Sequence, residues 1–325
     1  MGHFERENYS KGHHYIPAFY LRGFSDEETL IHVYDKVNKC YLPKSKPESK
    51  FKENNLNNFI HENKIRFTYE EPLYTPLDTK SSKIFNKIRD LSIDRNDELT
   101  LEEQFDLLYF ISHLYWRSPY SNAGVEKIIK KDGFSNDYFY VKNKVTGKIL
   151  TDDEIPDIVN SFLNNKENQK LLKATYPSLD SNLHEIIKLM DDWNLFYLNK
   201  SDNGLITGDM PILTYNDNFG LTQVFQRLIF PISKYRLLII APKVPKFFET
   251  TLLHTINVCI LHQAKRFICS DNKDLLDTVI NDYSRIEKYG LADTIIEKLF
   301  KMIDFQSNFS NFEDYYNTTM KNNNR

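Results

Sequence analysis

Apolar residues recur along this chain with two periods, and the change from one to the other organises it. His13 to Phe24 opens with Pro17 at the start of a short apolar run and Gly23 near its end, the asymmetry expected of a brief helix. Thr29–Tyr34 and Lys39–Leu42 alternate like strands, and the intervening DKVN supplies turn chemistry, so a hairpin is expected. Residues 43–66 are polar and rich in Lys and Asn, which suggests loop with short ordered pieces. A helical period then takes over. Asp78 is placed to cap a helix to about Leu91, and Thr100 to cap one over Leu101–Arg117, which Ser118-Pro119 ends. A hairpin around Thr146-Gly147 is expected within 136–150, with helices over 154–172 and 179–192. From Trp193 the period becomes strand-like: Asn194–Leu198, Leu205–Thr207, Leu228–Phe230 and Arg236–Ile240 are short apolar or alternating runs. A helix near 249–265, a strand at Phe267–Cys269 and helices near 273–286 and 290–303 follow, before an Asn-rich tail expected to fray.

The pattern predicts an α+β fold. It is helix-rich, with a small, largely antiparallel sheet in the C-terminal half and an N-terminal hairpin. One large domain over 12–305 is expected, with a helical subdomain over 78–192 and a polar tail over 306–325. No internal repeat is present.

Composition sharpens this outline. Of 325 residues, 41% are hydrophobic and 14% aromatic, with only ten glycines, the balance of a packed protein rather than a disordered one. The net charge of -3 gives no global attraction to nucleic acid. Lys127, Lys130, Lys131, Lys142 and Lys144 come nearest to a basic patch, and nearby acids dilute them into a solvated face; a local groove for RNA or DNA stays open. Cys40, Cys259 and Cys269 form no CxxC pair, which argues against disulfide stapling and a cysteine-rich zinc site. The first fifteen residues lack the apolar run of a signal peptide, and Leu237–Ala241 is far too short to span a bilayer. A cytoplasmic location and no membrane partner are expected. Glycine-rich nucleotide loops, His-Glu-x-x-His and Gly-x-Ser-x-Gly are absent, which counts against ordinary dinucleotide, NTPase, zincin and α/β-hydrolase chemistry.

Three polar constellations remain. At 100° per residue Asp106, His113 and Arg117 fall within roughly 40° of one another on the 101–117 helix, apart from the apolar face of Leu107, Phe110, Ile111 and Leu114. An acid, an imidazole and a guanidinium in line suit an anionic substrate; plain surface support by spaced pairs is the bland alternative. Gly208-Asp209-Met210-Pro211 fixes a carboxylate where a strand exits, as a general base, a metal ligand, a partner for histidine, or an Asx turn. His13-His14 precedes the Pro17 helix; only one of two adjacent imidazoles is expected to act, and the other reading packs it beneath Tyr15, Phe19, Tyr20 and Phe24. Asp78-Thr79-Lys80 with Glu70 or Glu71 has the outline of half a metal nuclease, but Asp78 stands where a helix cap belongs. His254 and His262 are eight apart, a poor spacing for a shared metal, while Asn257 could contribute a polar contact.

Three of these stretches together, HHYIPAFYLRGF, LYWRSP and LITGDMPIL, resemble the bacterial domain-of-unknown-function family 4238. The resemblance runs from about residue 12 to about 272 and rests on His14, Pro17, Phe19, Tyr20, Leu21 and Phe24, then Arg117 and Pro119, then Asp209 and Pro211. Gly208 and Met210 depart from the Ser and Asn frequent in that family, so a ligand contact from either is missing or replaced. Motif position favours His14 over His13.

These considerations lead to an expected hydrolase acting on a phosphodiester in RNA, DNA or a nucleotide, with His14 and Asp209 handling protons and Arg117 stabilising the developing anion. His113 and Asn257 are the expected substrate contacts, and a divalent metal is left open as cofactor. The alternative is a non-enzymatic ligand-binding, sensor or effector protein of a bacterial defence or toxin system, with a protein partner or a second copy of itself. A third reading pairs Arg117 with Asp209 in a buried structural salt bridge capped by His14. An open polar cleft at the motifs would favour the first, and a closed aromatic-walled junction the others.

Overall fold

A computed structural model of the chain describes residues 10–61, 64–90, 99–121, 142–143, 145–151, 153–154, 165–179, 191–199, 204–215 and 227–323. Eight α-helices and twelve strands lie within them. The strands are β1 (Gly12–His14), β2 (Ile31–Asp35), β3 (Cys40–Ser45), β4 (Lys52–Asn54), β5 (Asn58–His61), β6 (Lys64–Thr68), β7 (Trp193–Tyr197), β8 (Thr207–Gly208), β9 (Leu213–Thr214), β10 (Leu228–Ser233), β11 (Arg236–Ile240) and β12 (Phe267–Ser270). The helices are α1 (Ala18–Leu21), α2 (Thr75–Asp90), α3 (Leu101–Arg117), α4 (Lys166–Leu179), α5 (Thr250–Gln263), α6 (Lys273–Lys288), α7 (Ile295–Gln306) and α8 (Phe312–Asn323). The fold is α+β with small antiparallel sheets, as its periodicity predicts.

Two four-stranded sheets carry the core, in the orders β7-β11-β10-β9 and β3-β2-β12-β8. The N-terminal hairpin is therefore no separate unit, since β2 pairs antiparallel with β12 from the far end of the chain. Every residue of β10 is buried, and so are the last four of β11. Strands covered on both faces read as continuous apolar runs, which is why LIFPIS and RLLII do not alternate. Helix α1 reaches this sheet through Tyr20, whose ring stacks on Phe230 at 5.3 Å and whose hydroxyl donates to the Pro231 carbonyl at 2.8 Å and meets the Thr207 hydroxyl at 2.7 Å.

The structure fills in the sequence expectations at several points and overturns two of them, the Asp78 cap and the break between the helices expected over 154–172 and 179–192. Residues 43–66 contain β4 and the β5–β6 pair, whose stacked Phe59 and Phe67 rings stand 4.8 Å apart. Helix α2 starts at Thr75 after a π-turn over Glu70–Tyr74, so Asp78 lies inside the helix and caps nothing. Helix α4 straddles the break expected between two helices; the bulk of the 179–192 helix, and 155–164 of the other, lie outside the described residues. Of the 136–150 hairpin only the tip is described, where Lys142 and Ile149 pair across Gly147. Lys127, Lys130, Lys131 and Lys144 also lie outside.

The tail forms α8. Phe312 and Tyr315 close on Phe247 at 5.9 and 5.8 Å, and the Tyr315 hydroxyl donates to Glu249 at 2.8 Å. Aromatics at helical spacing anchor a segment whose Asn-rich composition suggests fraying. None of the helices among the described residues is long and apolar enough to cross a membrane.

One close approach is specific enough to test. A Cβ on Gly208 would stand 2.8 Å from the Phe267 carbonyl and 3.2 Å from the Ile268 side chain, because β8 lies hard against β12. Gly208→Ala is expected to destabilise by about 1–3 kcal/mol in urea titration. Gly12→Ala, with its nearest neighbour 3.9 Å away, should stay within about 0.5 kcal/mol of wild type. Equal midpoints for the two variants would remove the claim that β8 needs glycine there.

Candidate functional site

Helix α3 is framed by its own sequence. Thr100 and Glu103 form a reciprocal capping box at its start, and Ser118, extended ahead of Pro119 at ψ 137°, stops it at Arg117. The Arg117 side chain is fully buried there. Nη1 and Nη2 donate to the two Asp78 oxygens at 2.8 and 3.1 Å, Nη2 also donates to the His14 carbonyl at 2.9 Å, and the guanidinium lies 4.7 Å over the Tyr74 ring. Burial opposes its charge and the Asp78 pair more than restores it. A planar fork held bidentate is well suited to such a buried pairing.

The stripe of Asp106, His113 and Arg117 is not presented to solvent, because α2 packs across it. Asp106 pairs with Lys80 at 2.7 Å and Arg117 with Asp78, both on α2. His113 is wholly buried between Tyr109 at 4.5 Å and Tyr74 at 6.1 Å, both edge-on. Neither of its ring nitrogens finds a hydrogen-bond partner among the described residues. Burial, assisted by Arg117, lowers its pKa to about 3, so the ring is neutral.

The two adjacent histidines point apart. His13 is buried, and its Nδ1 accepts the Asn57 N–H at 3.1 Å. His14 is half-buried, and its Nε2 donates to the Glu48 carbonyl at 3.0 Å.

Asp209 occupies different ground. Its backbone N–H bonds the Phe267 carbonyl at 2.9 Å, and its buried carboxylate accepts the N–H groups of Lys265, Arg266 and Phe267 at 2.9, 2.6 and 3.0 Å. Gln263 answers from the same turn, donating to the Met210 and Ile212 carbonyls at 2.9 and 2.6 Å. Burial pushes the Asp209 carboxyl above its ordinary range, against the opposing pull of the three amides and Lys36. Asn257 holds the approach to β8 in a similar way: Oδ1 accepts the Ile206 N–H at 3.0 Å and Nδ2 donates to the Gly204 carbonyl at 3.0 Å.

His14 and Arg117 thus meet through a backbone carbonyl, while Asp209 bonds a separate turn. The salt bridge of Arg117 is to Asp78, not to Asp209. The three motifs nevertheless converge through neighbouring side chains that the sequence did not single out. Tyr15 and Tyr120 pack edge to face at 6.1 Å, and the Ser118 hydroxyl reaches the Met210 sulfur at 3.3 Å. Lys173 of α4, almost fully buried, donates to the Ser118 carbonyl at 2.5 Å. Nothing in the α4 sequence distinguishes Lys173 from its solvated neighbours.

A second feature lies between α5 and α6. A cleft of about 130 Å³ is lined by Thr250, His254, Asn257, Asn272, Asp274 and Thr278 over a floor of Leu253 and Leu275. At its rim His254 Nε2 meets an Asp282 oxygen at 3.0 Å. His262 faces the Tyr283 hydroxyl instead, at 3.2 Å, so the two α5 histidines serve different partners. Among the described residues no group of three or more His, Cys, Asp or Glu side chains is arranged to hold a metal.

His113 yields a pH prediction. Its folded pKa lies far below the ordinary value near 6.5, so the unfolded chain takes up the proton first; the stabilisation is whole above about pH 6.5 and is lost as pH falls towards 3. One such group contributes about 1.4 kcal/mol per pH unit inside that window. His113→Phe should make the fall in unfolding free energy between pH 6.5 and 4.5 shallower by up to that slope, as measured by urea titration. Parallel curves for wild type and variant would contradict a neutral buried His113.

No match to the chain was found among curated proteins or solved structures. The family described as protein of unknown function (DUF4238) matches residues 12–274, a span that holds the Arg117 clamp, the Asp209 turn and the Tyr15–Tyr120–Lys173 junction alike. On that match, which covers most of its length, the chain belongs to the DUF4238 family.

Proposed function

We propose that this chain is a ligand-binding protein of the sensor or effector type, taking a small hydroxyl-rich molecule, neutral or bearing an amine, in the cleft between α5 and α6. One observation carries this reading: the Asp209 carboxylate and the terminal nitrogens of Arg117 are held by the fold, whereas the cleft, though Asn257 and His254 bond within the protein, is also lined by Thr250, the Asp274 carboxylate and the Asn272 amide nitrogen. The motif junction is closed and aromatic-walled, which favours binding over an open hydrolytic site. Within the cleft, two threonine hydroxyls and the Asn272 amide suit sugar-like hydroxyls, Asp274 suits an ammonium group, and the leucine floor suits a ring face. No lysine or arginine lines it, which disfavours anions. A volume of about 130 Å³ is close to that of a cavity that holds one benzene, so the ligand or its inserted part is monosaccharide-sized or smaller. Three cysteines without a disulfide accord with a cytoplasmic setting.

Saturation-transfer NMR with glucosamine, and with glucose for comparison, tests this directly. Glucosamine should bind the more tightly, and Asp274→Asn should weaken it by about tenfold, the worth of a charged hydrogen bond. Thr278→Val should weaken both sugars. Signals absent for both sugars, or unaltered in both variants, would defeat the assignment.

Phosphodiester hydrolysis is the second reading, favoured by one feature. Because His14 Nε2 donates to the Glu48 carbonyl, Nδ1 is left as the basic nitrogen on a half-buried ring. RNA, DNA or a nucleotide would be the substrate. Cleavage of mixed RNA and DNA, with or without Mg²⁺ or Mn²⁺, that is lost in His14→Gln at unchanged thermal stability would support it. Absence of cleavage in every condition would retire it.

A further inference from the structure

We infer that the cleft between α5 and α6 is also a hydrolytic site, cleaving a small acyl ester of a hydroxyl-rich alcohol with His254 as general base. The inference rests on the cleft reading above and adds a reaction to it. Two histidines stand on α5, and their surroundings differ. His262 faces the Tyr283 hydroxyl at 3.2 Å and does not line the cleft. His254 does line it, with 30% of its side chain exposed, and its Nε2 meets an Asp282 oxygen at 3.0 Å. The other Asp282 oxygen accepts from Arg285 at 3.3 Å, so the carboxylate is held from a second side. A carboxylate on Nε2 keeps the imidazole N–H there and leaves the Nδ1 lone pair as the base, the arrangement in which a third group orients a catalytic histidine. Nδ1 has no hydrogen-bond partner among the described residues.

Two further groups of the cleft suit the same reaction. Asn272 caps α6 by accepting the Leu275 N–H through Oδ1 at 3.0 Å, which leaves Nδ2 free to donate. Thr250 lies one turn before His254 on α5, and its exposed hydroxyl has no hydrogen-bond partner among the described residues. Both can donate to a carbonyl oxygen as negative charge develops on it. His254 Nδ1 takes a proton from water as the water oxygen attacks the ester carbonyl carbon. A C–O bond forms while the C=O π pair moves to the oxygen that Asn272 and Thr250 hold. The pair then returns, the ester C–O bond breaks, and the departing alkoxide takes the proton from Nδ1. Ester and water give carboxylic acid and alcohol, with no oxidant or reductant. Asp274 in the same cleft suits an ammonium group on the alcohol, so an acylated amino sugar is the favoured substrate.

The 6-O-acetyl esters of glucosamine and glucose are the probes, with free acetate followed by proton NMR on the full-length protein. The wild type should release acetate from both, faster from the amino sugar. His254→Gln should lower kcat at least about a hundredfold, the worth of a general base, with KM little changed. Added imidazole should restore turnover to His254→Ala. Asp282 acts through His254, so Asp282→Asn should lower kcat and spare KM, with part of the rate regained in Asp282→Glu. His262→Gln should keep the wild-type rate. No acetate release above the uncatalysed rate, or a rate unaltered in His254→Gln, would overturn the inference. Binding of the unacylated sugars is read separately, so that result with glucosamine still bound removes the hydrolysis and not the cleft.

Discussion

A carboxylate without solvent is tolerable only where the fold supplies its hydration, and at Asp209 three consecutive backbone N–H groups do so. An unmatched ionised carboxyl in such a place would be strongly destabilising. Lys265, Arg266 and Phe267 can present their amides together only because α5 ends at Gln263 and the chain turns immediately into β12. That turn is held from the other side as well, since Lys36 donates to the Leu261, His262 and Ala264 carbonyls. The last carbonyls of α5 thus meet a cation and the amides beyond it meet an anion, which complements a helix C-terminus at both of its unsatisfied edges. The pairing of β12 with β2 and β8, and with it the union of the two ends of the chain in one sheet, depends on this turn.

Arg117 plays a comparable part at the other pole. A single guanidinium joins α2, α3 and the segment ahead of α1, bridging the Asp78 carboxylate and the His14 carbonyl. Lysine could offer the charge but not the planar fork that meets both carboxylate oxygens at once. Removal of the arginine would leave Asp78 and a backbone carbonyl unmatched in a partly dry place, which is more damaging than replacing the whole pair.

Helix α3, its capping box and its Pro119 stop were legible because each is a local rule, complete within a few residues. Strand existence from Trp193 onward was legible for the same reason. The partner of Arg117 was not, since spacing along a helix gives its face but not which neighbour covers that face; Asp78 lies 39 residues away and looked like a cap. Asp209 was legible as a residue in fixed geometry, yet the donors it meets are backbone groups, invisible to any side-chain motif. Asn257 was singled out for a polar contact and makes two, both with the chain, while also lining the cleft. Helix α8 escaped notice because asparagines outnumbered the aromatic spacing that anchors it.

Rigid polar residues in recognisable motifs invite catalytic readings, but hydrogen-bond capacity is the better guide. A group can act on a ligand only with donors or acceptors the fold has left available and accessible; the Asp209 carboxylate and both terminal nitrogens of Arg117 are held by the chain, and Arg117 Nε, though unpartnered, is buried. By that criterion attention moves to side chains away from the motifs: Thr250, the Asp274 carboxylate and the Asn272 amide nitrogen in the cleft between α5 and α6.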